Sequence, residues 1–361
     1  MLKVFYYLRG KPRGRQLDAA LFPPKGVKAF YPEVKHEEGK PVKRDNLLTK
    51  LVKFFPFALN VKDMPKVDAD LLYAYGCLLK GNKPYVTEVD NPACLTYYSP
   101  VALKNPLIKS IIKSYIRNEN FVSFLPMSKA AEKGLVNAFG EEVKEKSQVV
   151  YPPFPYKVKP KSNDVLSFIF ISYHFYAKGG KELLKAVKKL EGKFKLTIVG
   201  KMPKMKLPNN VEFKGRVLRD ELINSILPSY DVIVHPSYWD SFGIAPYEAI
   251  NIGLAGISTN LYALPEFIVH ERNGFNFEPP IKYFNDDFLP NMRFWYTNIE
   301  EFAKHHEFPN VVKRLVEYMQ YYIDNPKELR KHKRYSKKLA KERFSLEIRN
   351  KVLLDVFKRA V

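Results

Sequence analysis

The sequence predicts an α/β protein made of two doubly wound domains, and three observations carry that expectation. Short apolar runs rich in β-branched and aromatic residues alternate with helical patterns through most of the 361 residues. A proline-rich stretch without a regular period, residues 151–164 (YPPFPYKVKPKSND), separates two such series and reads as a linker. No repeat with a period of roughly 20 to 50 residues, no heptad array and no low-complexity tract is present, which removes solenoids, propellers and long coiled coils.

In the first series, LKVFYYL (2–8), DLLYAYG (70–76), PYVTEV (84–89) and NFVSFLP (120–126) read as strands, with helices near 107–117 and 128–139. After the linker, VLSFIFIS (165–172), KLTIVG (195–200), DVIVHPS (231–237) and LAGIST (254–259) read as strands. Helices are expected at 179–191, where Leu183, Leu184, Val187 and Leu190 share a face, at 219–227 and at 244–252. Beyond Pro280 the β signal fades and helices run onward, the last from Ser345, its cap, to about 359. The expected domains are 1–155 and 160–344, facing each other across a cleft.

Sixty basic against 38 acidic residues give a formal charge of +22, yet 46% hydrophobic and 14% aromatic content excludes a disordered polycation. The excess concentrates anions, whether nucleic acid, acidic membrane or phosphorylated ligand, without choosing among them. Two cysteines, Cys77 and Cys94, are too few for a disulfide scaffold or a four-thiolate zinc site, and a reducing compartment is expected. Histidines do not cluster with carboxylates at ligand spacing, so no metal is expected. No apolar run approaches the length of a membrane span, and the first residues lack a signal-peptide pattern. The expectation is a cytoplasmic protein, soluble or peripheral on the cytosolic face of a membrane.

Ligands of doubly wound sheets sit beyond the carboxyl ends of the strands, where loops and helix starts converge. The segment HPSYWDSFGIAPYEAINIG (235–253) offers such a start. Backbone N–H groups near Phe242, Gly243 and Ile244 lack intrahelical partners, a geometry that holds phosphate, and Gly243 permits close approach to the main chain. Asp240 and Glu248 bracket this turn. Carboxylates accept hydrogen bonds from paired hydroxyls, so the two suit the sugar ends of a nucleotide sugar. A helix-start aspartate and a solvated helical glutamate are the plainer alternative.

Residues 195–278 resemble glycosyltransferase family 4 of the GT-B fold. The resemblance runs through KLTIVG, the segment NVEFKGRVLRDELINSILPSYDVIVHPSYWDSFGIAPYEAINIGLAGISTN, and LPEFIVHERNGFNFEPP. It rests on Gly200, Gly215, Pro236-Ser237, the SFG of 241–243, Glu248-Ala249, Gly253, Pro265-Glu266 and Gly274, and KGGKELLKA (178–186) is similar to the family's Lys-Gly helix start. It implies two Rossmann-like domains, an acceptor-side one at 1–155 and a nucleotide-sugar-binding one at 160–344. It also implies a terminal helix at about 345–361 crossing back to the first. The implied activity is retaining, metal-independent transfer of a hexose from a nucleotide-diphosphate sugar, with no cofactor. Lys178 would neutralise the diphosphate, Asp240 would hold the transferred sugar and Glu248 the ribose. The main chain at Ser241, Phe242, Gly243 and Ile244 would complete the cradle, with Gly200, Gly215, Arg216 and Val217 lying toward the base.

This chain departs from the family in having Asp240 where glutamate is usual, and Tyr173 where the family's diphosphate arginine falls. A neutral phenol does not replace a guanidinium. Arg9, Arg13, Arg15 and Arg216 are the candidate substitutes. In the first domain RGKPRGR (9–15), with Gly10, Gly14 and Arg15, reads as a phosphate or acceptor contact or as a plain turn. TEVDNP (87–92) places Glu88 and Asp90 where many family members have histidine, either facing the reaction centre or, for Asp90, capping a turn.

Two segments combine large apolar residues with lysine and suit an anionic membrane surface bearing a lipid-linked acceptor. They are NLLTKLVKFFPFALNVK (46–62) and NPLIKSIIKSYIRN (105–118). A helix packed on a sheet has the same pattern. A basic nucleic-acid-binding protein is a competing class, disfavoured because no zinc-finger, helix-turn-helix or stacking-aromatic motif is present. A degenerate protein that binds a nucleotide sugar without transferring it is another.

Overall fold

A computed structural model describes residues 1–8, 14–32, 51–161 and 163–360. The chain divides into two compact units. Unit 1 comprises Met1–Pro155, Phe284–Pro290 and Phe344–Val361; unit 2 comprises Tyr156–Tyr283 and Asn291–Arg343.

In unit 1 the strands are β1 (Leu2–Tyr6), β2 (Val27–Phe30), β3 (Val61–Asp63), β4 (Leu71–Tyr75), β5 (Leu78–Lys80), β6 (Tyr85–Val89) and β7 (Phe121–Pro126). Five of them form a sheet in the order β2-β1-β4-β6-β7, and β3 pairs with β5; all pairings are parallel. Strands covered on both faces read as unbroken apolar runs, and LLYAY of β4 is buried through its first four residues. Helices α1 (Gly14–Leu21), α2 (Pro106–Arg117) and α3 (Lys129–Phe139) follow β1, precede β7 and follow β7. Asn105 and Ser128 cap α2 and α3, accepting from Leu107 N at 2.9 Å and Ala131 N at 3.0 Å.

The last helix, Leu346–Phe357, is capped by Ser345, whose hydroxyl accepts from Ile348 N at 3.3 Å. Its Leu353, Val356 and Phe357 join Val4, Tyr6, Leu71, Tyr73, Val86 and Leu125 in the core of unit 1, so the chain's end completes the unit formed by its beginning. The Phe357 ring meets Tyr73 edge-on at 6.3 Å.

In unit 2 the strands are β8 (Leu166–Ser172), β9 (Phe194–Gly200), β10 (Val211–Lys214), β11 (Val232–His235), β12 (Ala255–Thr259) and β13 (Gly274–Phe277). All are parallel, in the order β10-β9-β8-β11-β12-β13. Relative to the unit's first strand this is the Rossmann order 3-2-1-4-5-6, and the winding direction reverses between β8 and β11. Helices α4 (Gly180–Val187), α5 (Ile244–Ile252), α6 (Pro309–Asp324) and α7 (Pro326–Leu339) complete the unit, α6 packing on α4 and α7 on α5.

Three local expectations change. The stretch expected as a helix at 219–227 is helical but not one regular α-helix: an α turn, Arg219–Glu221, passes into a wider π turn, Leu222–Ile226, and then a tighter 3-10 turn, Leu227–Ser229, where Pro228 has no N–H to continue a ladder. The helix expected to reach 191 ends at Val187, and Lys189 and Leu190 bond three residues back ahead of Gly192 (φ +98°). The apolar stripe of 105–118 faces the core, with Ile108, Ile112 and Ile116 buried, so α2 does not present it to a membrane.

Removing the Phe357 ring tests the return of the chain end. Phe357→Ala is expected to cost about 3–5 kcal/mol, the usual loss for a fully buried phenylalanine, read as a lowered denaturation midpoint. An unchanged midpoint contradicts the packing described.

Candidate functional site

The loops that follow β8 and β11 lie at the switch point of unit 2, and both are held by their main chains. Gly179 (φ +75°) precedes α4, and a Cβ there would lie 2.5 Å from the Pro236 carbonyl oxygen, so the two loops touch backbone to backbone. Tyr238 N donates to Ala177 O at 2.9 Å. The Glu300 carboxylate accepts from Tyr176 N at 3.2 Å and Ala177 N at 2.7 Å, and the Thr259 hydroxyl donates to Ser237 O at 2.6 Å.

This contact brings Lys178 and Asp240 together. The ammonium lies 2.6 Å from the carboxylate, donates to the Trp239 carbonyl, and sits over the Trp239 ring at 5.7 Å. The same Asp240 oxygen bonds His235 Nε2 at 2.7 Å. Lys178 is therefore a paired group rather than a solvated surface lysine, its side chain 13% exposed. Burial by itself would raise the Asp240 carboxyl. The Lys178 charge and the His235 hydrogen bond outweigh it and hold the group well below the usual carboxylate range. Burial lowers the proton affinity of His235 despite the neighbouring carboxylate.

At the start of α5, Gly243 adopts φ +83°, and any Cβ there would strike Leu264 Cδ2 at 2.5 Å. The N-cap residue is Gly243, which has no side chain to cap with, and Pro246 brings no N–H, so the remaining donors of the turn are main-chain groups. Phe242 is anchored between Tyr247 and Phe267, at 5.1 and 5.4 Å, while Ser241 and Ile244 are half-buried.

Glu248, one turn into α5, is buried, and its Oε1 accepts from Arg219 Nε at 2.8 Å with Nη2 at 2.7 Å. Arg219 Nη1 also bonds the Tyr156 hydroxyl at 3.1 Å. Glu248 is thus no solvated helical residue. Arg219, three residues beyond the Arg216 that the sequence singles out, escaped sequence reasoning because its only signal was a basic residue inside a stretch read as helix. Arg216 is exposed, Val217 is half-buried, and a Cβ on Gly215 would meet open space.

Gly200 has a packing reason. At φ +120° its Cβ would lie 2.0 Å from the Ser172 carbonyl oxygen, and its N–H donates to Gly215 O at 3.0 Å. Tyr173, directly after β8, is 48% exposed. Lys201, directly after β9 and also passed over, lies near enough for its charge to lower the His174 proton affinity, after burial the main cause, with Lys178 acting in the same direction.

In unit 1, Gly10, Arg9 and Arg13 fall outside the described residues, and Gly14 opens α1. Arg15, expected as a basic loop contact or a substitute phosphate cation, is instead buried in an ion pair with Glu88. The Tyr73 hydroxyl donates to the other Glu88 oxygen at 3.0 Å. Desolvated charges of this kind stay ionised only as a pair, so both groups are committed to each other. Asp90 is half-buried and accepts from Asn91 N at 3.0 Å and from the Tyr98 hydroxyl at 3.3 Å. Among the described residues no group of three or more His, Cys, Asp or Glu is placed to hold a metal ion.

Residues 156–288 match the model of the family described as "Glycosyl transferases group 1". A 65-residue segment is 34% identical to sucrose synthase of Solanum tuberosum, a match covering 18% of this chain and 8% of that protein. Over nearly the whole chain the structure is similar to HepE of Anabaena, solved with UDP-glucose (TM-score 0.58, 15% identity, 99% of this chain and 100% of that one). It is also similar to sucrose-phosphate synthase of Thermosynechococcus elongatus (TM-score 0.66, 13% identity, 99% of each chain). The fold is GT-B, built of two Rossmann-like domains.

The buried histidines set a pH dependence. Burial lowers the proton affinity of His235 and His332. Below about pH 6.5 the unfolded chain therefore takes up protons that the folded chain does not, and stability falls with pH. Melting temperature is expected to drop as pH is lowered through this range. His235→Gln is expected to show a shallower drop, and an equal slope in both proteins contradicts the assignment.

Proposed function

We propose that this chain transfers a hexose from a nucleotide-diphosphate sugar, in the cytoplasm, to a glycan or lipid-linked acceptor. In this reading the anomeric configuration is retained and no metal takes part. The observation that carries it is the Lys178–Asp240 pair beside the glycine start of α5, at the switch point of a unit matching group 1 glycosyl transferases. Unit 2 is then the donor domain and unit 1 the acceptor side.

Breaking a sugar–phosphate bond leaves positive charge on the anomeric carbon and negative charge on the diphosphate. Cations and dipoles aimed at the leaving group lower the barrier directly. Lys178 and the main chain at Ser241, Phe242, Gly243 and Ile244 supply them, Asp240 holds the hexose hydroxyls, and Glu248, steadied by Arg219, accepts from the ribose. Gly200, Gly215, Arg216 and Val217 lie toward the base, and Tyr173 borders the diphosphate. Retention follows a front-face route: the acceptor oxygen bonds the anomeric carbon on the face the diphosphate leaves, and the departing phosphate oxygen takes the acceptor proton.

A second reading, a donor-binding protein without transfer, is favoured by Tyr173, which brings no charge where a guanidinium is expected. Uridine nucleotides are the first probe, since the similar HepE structure holds UDP-glucose.

A nucleoside diphosphate at a hundred times its dissociation constant is expected to stabilise the protein by about 2.7 kcal/mol, read by thermal unfolding. With uridine, guanosine and adenosine diphosphate sugars as donors, one is expected to give transfer that survives a chelator. Lys178→Ala and Glu248→Gln are each expected to reduce it about a hundredfold or more with the fold intact. Near-normal turnover in both variants removes the proposed site. Binding without transfer or donor hydrolysis selects the second reading, and salt-sensitive duplex binding without nucleotide protection selects a nucleic-acid partner.

A further inference from the structure

Leu51, Phe54, Phe55, Phe57 and Leu107 belong to unit 1 and take no part in the donor site, yet all are between 53% and 60% exposed. Isolated exposed apolar residues are ordinary; five large ones on adjoining segments mark an interaction surface. The phenylalanine turn is well fixed. Phe54 N and Phe55 N donate to the carbonyls of Leu51 and Val52 at 3.0 Å each, and Ala58 N to Phe55 O at 3.3 Å. The Ser99 hydroxyl donates to Phe55 O at 3.0 Å, and the Asn105 amide to Pro56 O at 3.0 Å. Asn105 is also the cap of α2, so one residue ties the turn to the helix start that carries Leu107. The rings of Phe55 and Phe57 lie edge-on at 5.9 Å.

Charge identifies the occupant. Residues 51–62 and 97–118 contain Lys53, Lys62, Lys104, Lys109, Lys113 and Arg117 and not one aspartate or glutamate. Lys113 and Arg117 pair with Glu142, and Lys62 with the Tyr97 hydroxyl. Lys104 and Lys109, flanking Leu107, make no ion pair among the described residues. A hydrogen-bonded aromatic face on segments whose charged residues are all basic fits an interface that is apolar beneath and anionic above.

We propose that this face docks on an anionic phospholipid surface, Phe54, Phe55, Phe57 and Leu107 entering the headgroup boundary while the lysines meet lipid phosphates. The contact is interfacial: α2 keeps Ile108, Ile112 and Ile116 in the core, and no described helix is long and apolar enough to cross a membrane. Docking goes beyond the proposed transfer and does not depend on it, since it is read without any nucleotide.

The full chain is mixed with vesicles of phosphatidylcholine alone or of phosphatidylcholine with phosphatidylglycerol, then sedimented. Binding is expected only to the anionic vesicles and is expected to weaken with added salt. Replacing the three phenylalanines together (Phe54→Ser, Phe55→Ser, Phe57→Ser) is expected to lower the bound fraction about tenfold at an unchanged melting temperature. Lys104→Glu with Lys109→Glu is expected to weaken binding as well. Leu107→Trp gives an independent signal, an emission that shifts to the blue with anionic vesicles relative to the parent protein. No sedimentation, equal sedimentation of the serine variant, or an unshifted Leu107→Trp emission overturns the proposal. So does a lipid-free dimer that the serine substitutions dissociate, which assigns the face to a second copy.

Discussion

The close approach of two loops in unit 2 is the constraint on which the site depends. Gly179 has no side chain, so the backbone after β8 lies against the Pro236 carbonyl after β11. That contact sets Lys178 and Asp240 within an ion-pair distance neither loop could hold alone. Two charges this little exposed are tolerable only because each neutralises the other and His235 and the Trp239 carbonyl satisfy what remains. In the proposed function the arriving donor takes over these interactions. A phosphate replaces Asp240 at the ammonium, and sugar hydroxyls replace Lys178 at the carboxylate, so the site is organised before the ligand enters.

Periodicity disclosed what is regular and buried. The runs that became β8, β9, β11 and β12 are long, apolar and bounded by Gly, Pro or Ser, and parallel strands covered on both faces have that signature. The edge strand β10, VEFK, has only its first residue buried and carries no such run. β13 begins at Gly274, where a Cβ would lie 2.1 Å from the Gly256 carbonyl, so its glycine marks a close backbone approach that composition alone reads as a turn. Of the candidate residues, Lys178, Asp240, Glu248 and Gly243 were legible because each sits in a motif at a strand end or helix start. Arg219, His235 and Glu300 were not: Arg219 and Glu300 take partners far along the chain, and His235 meets Asp240, five residues on, only through the irregular turn between them.

Unit 1 shows the converse. Arg15 and Glu88 carry the residue types of a functional site, yet they face each other in the interior beneath Tyr73, which stacks on Tyr6 at 4.8 Å. Burial pushes the Tyr6 hydroxyl up to about 12, so the phenols stay neutral around the ion pair. The cluster satisfies a charge that the start of α1 brings inward. By contrast, the aromatic turn near Phe55 has its backbone hydrogen-bonded and its large rings exposed beside lysines, and on that exposure and charge the membrane proposal rests.

The most direct test is a crystal structure of the protein with a bound nucleoside diphosphate. The account predicts the β-phosphate against the main chain of Gly243 and Ile244 and within ion-pair distance of the Lys178 ammonium, with Glu248 on the ribose. A nucleotide bound elsewhere, or phosphates at this turn with Lys178 still held by Asp240, contradicts it.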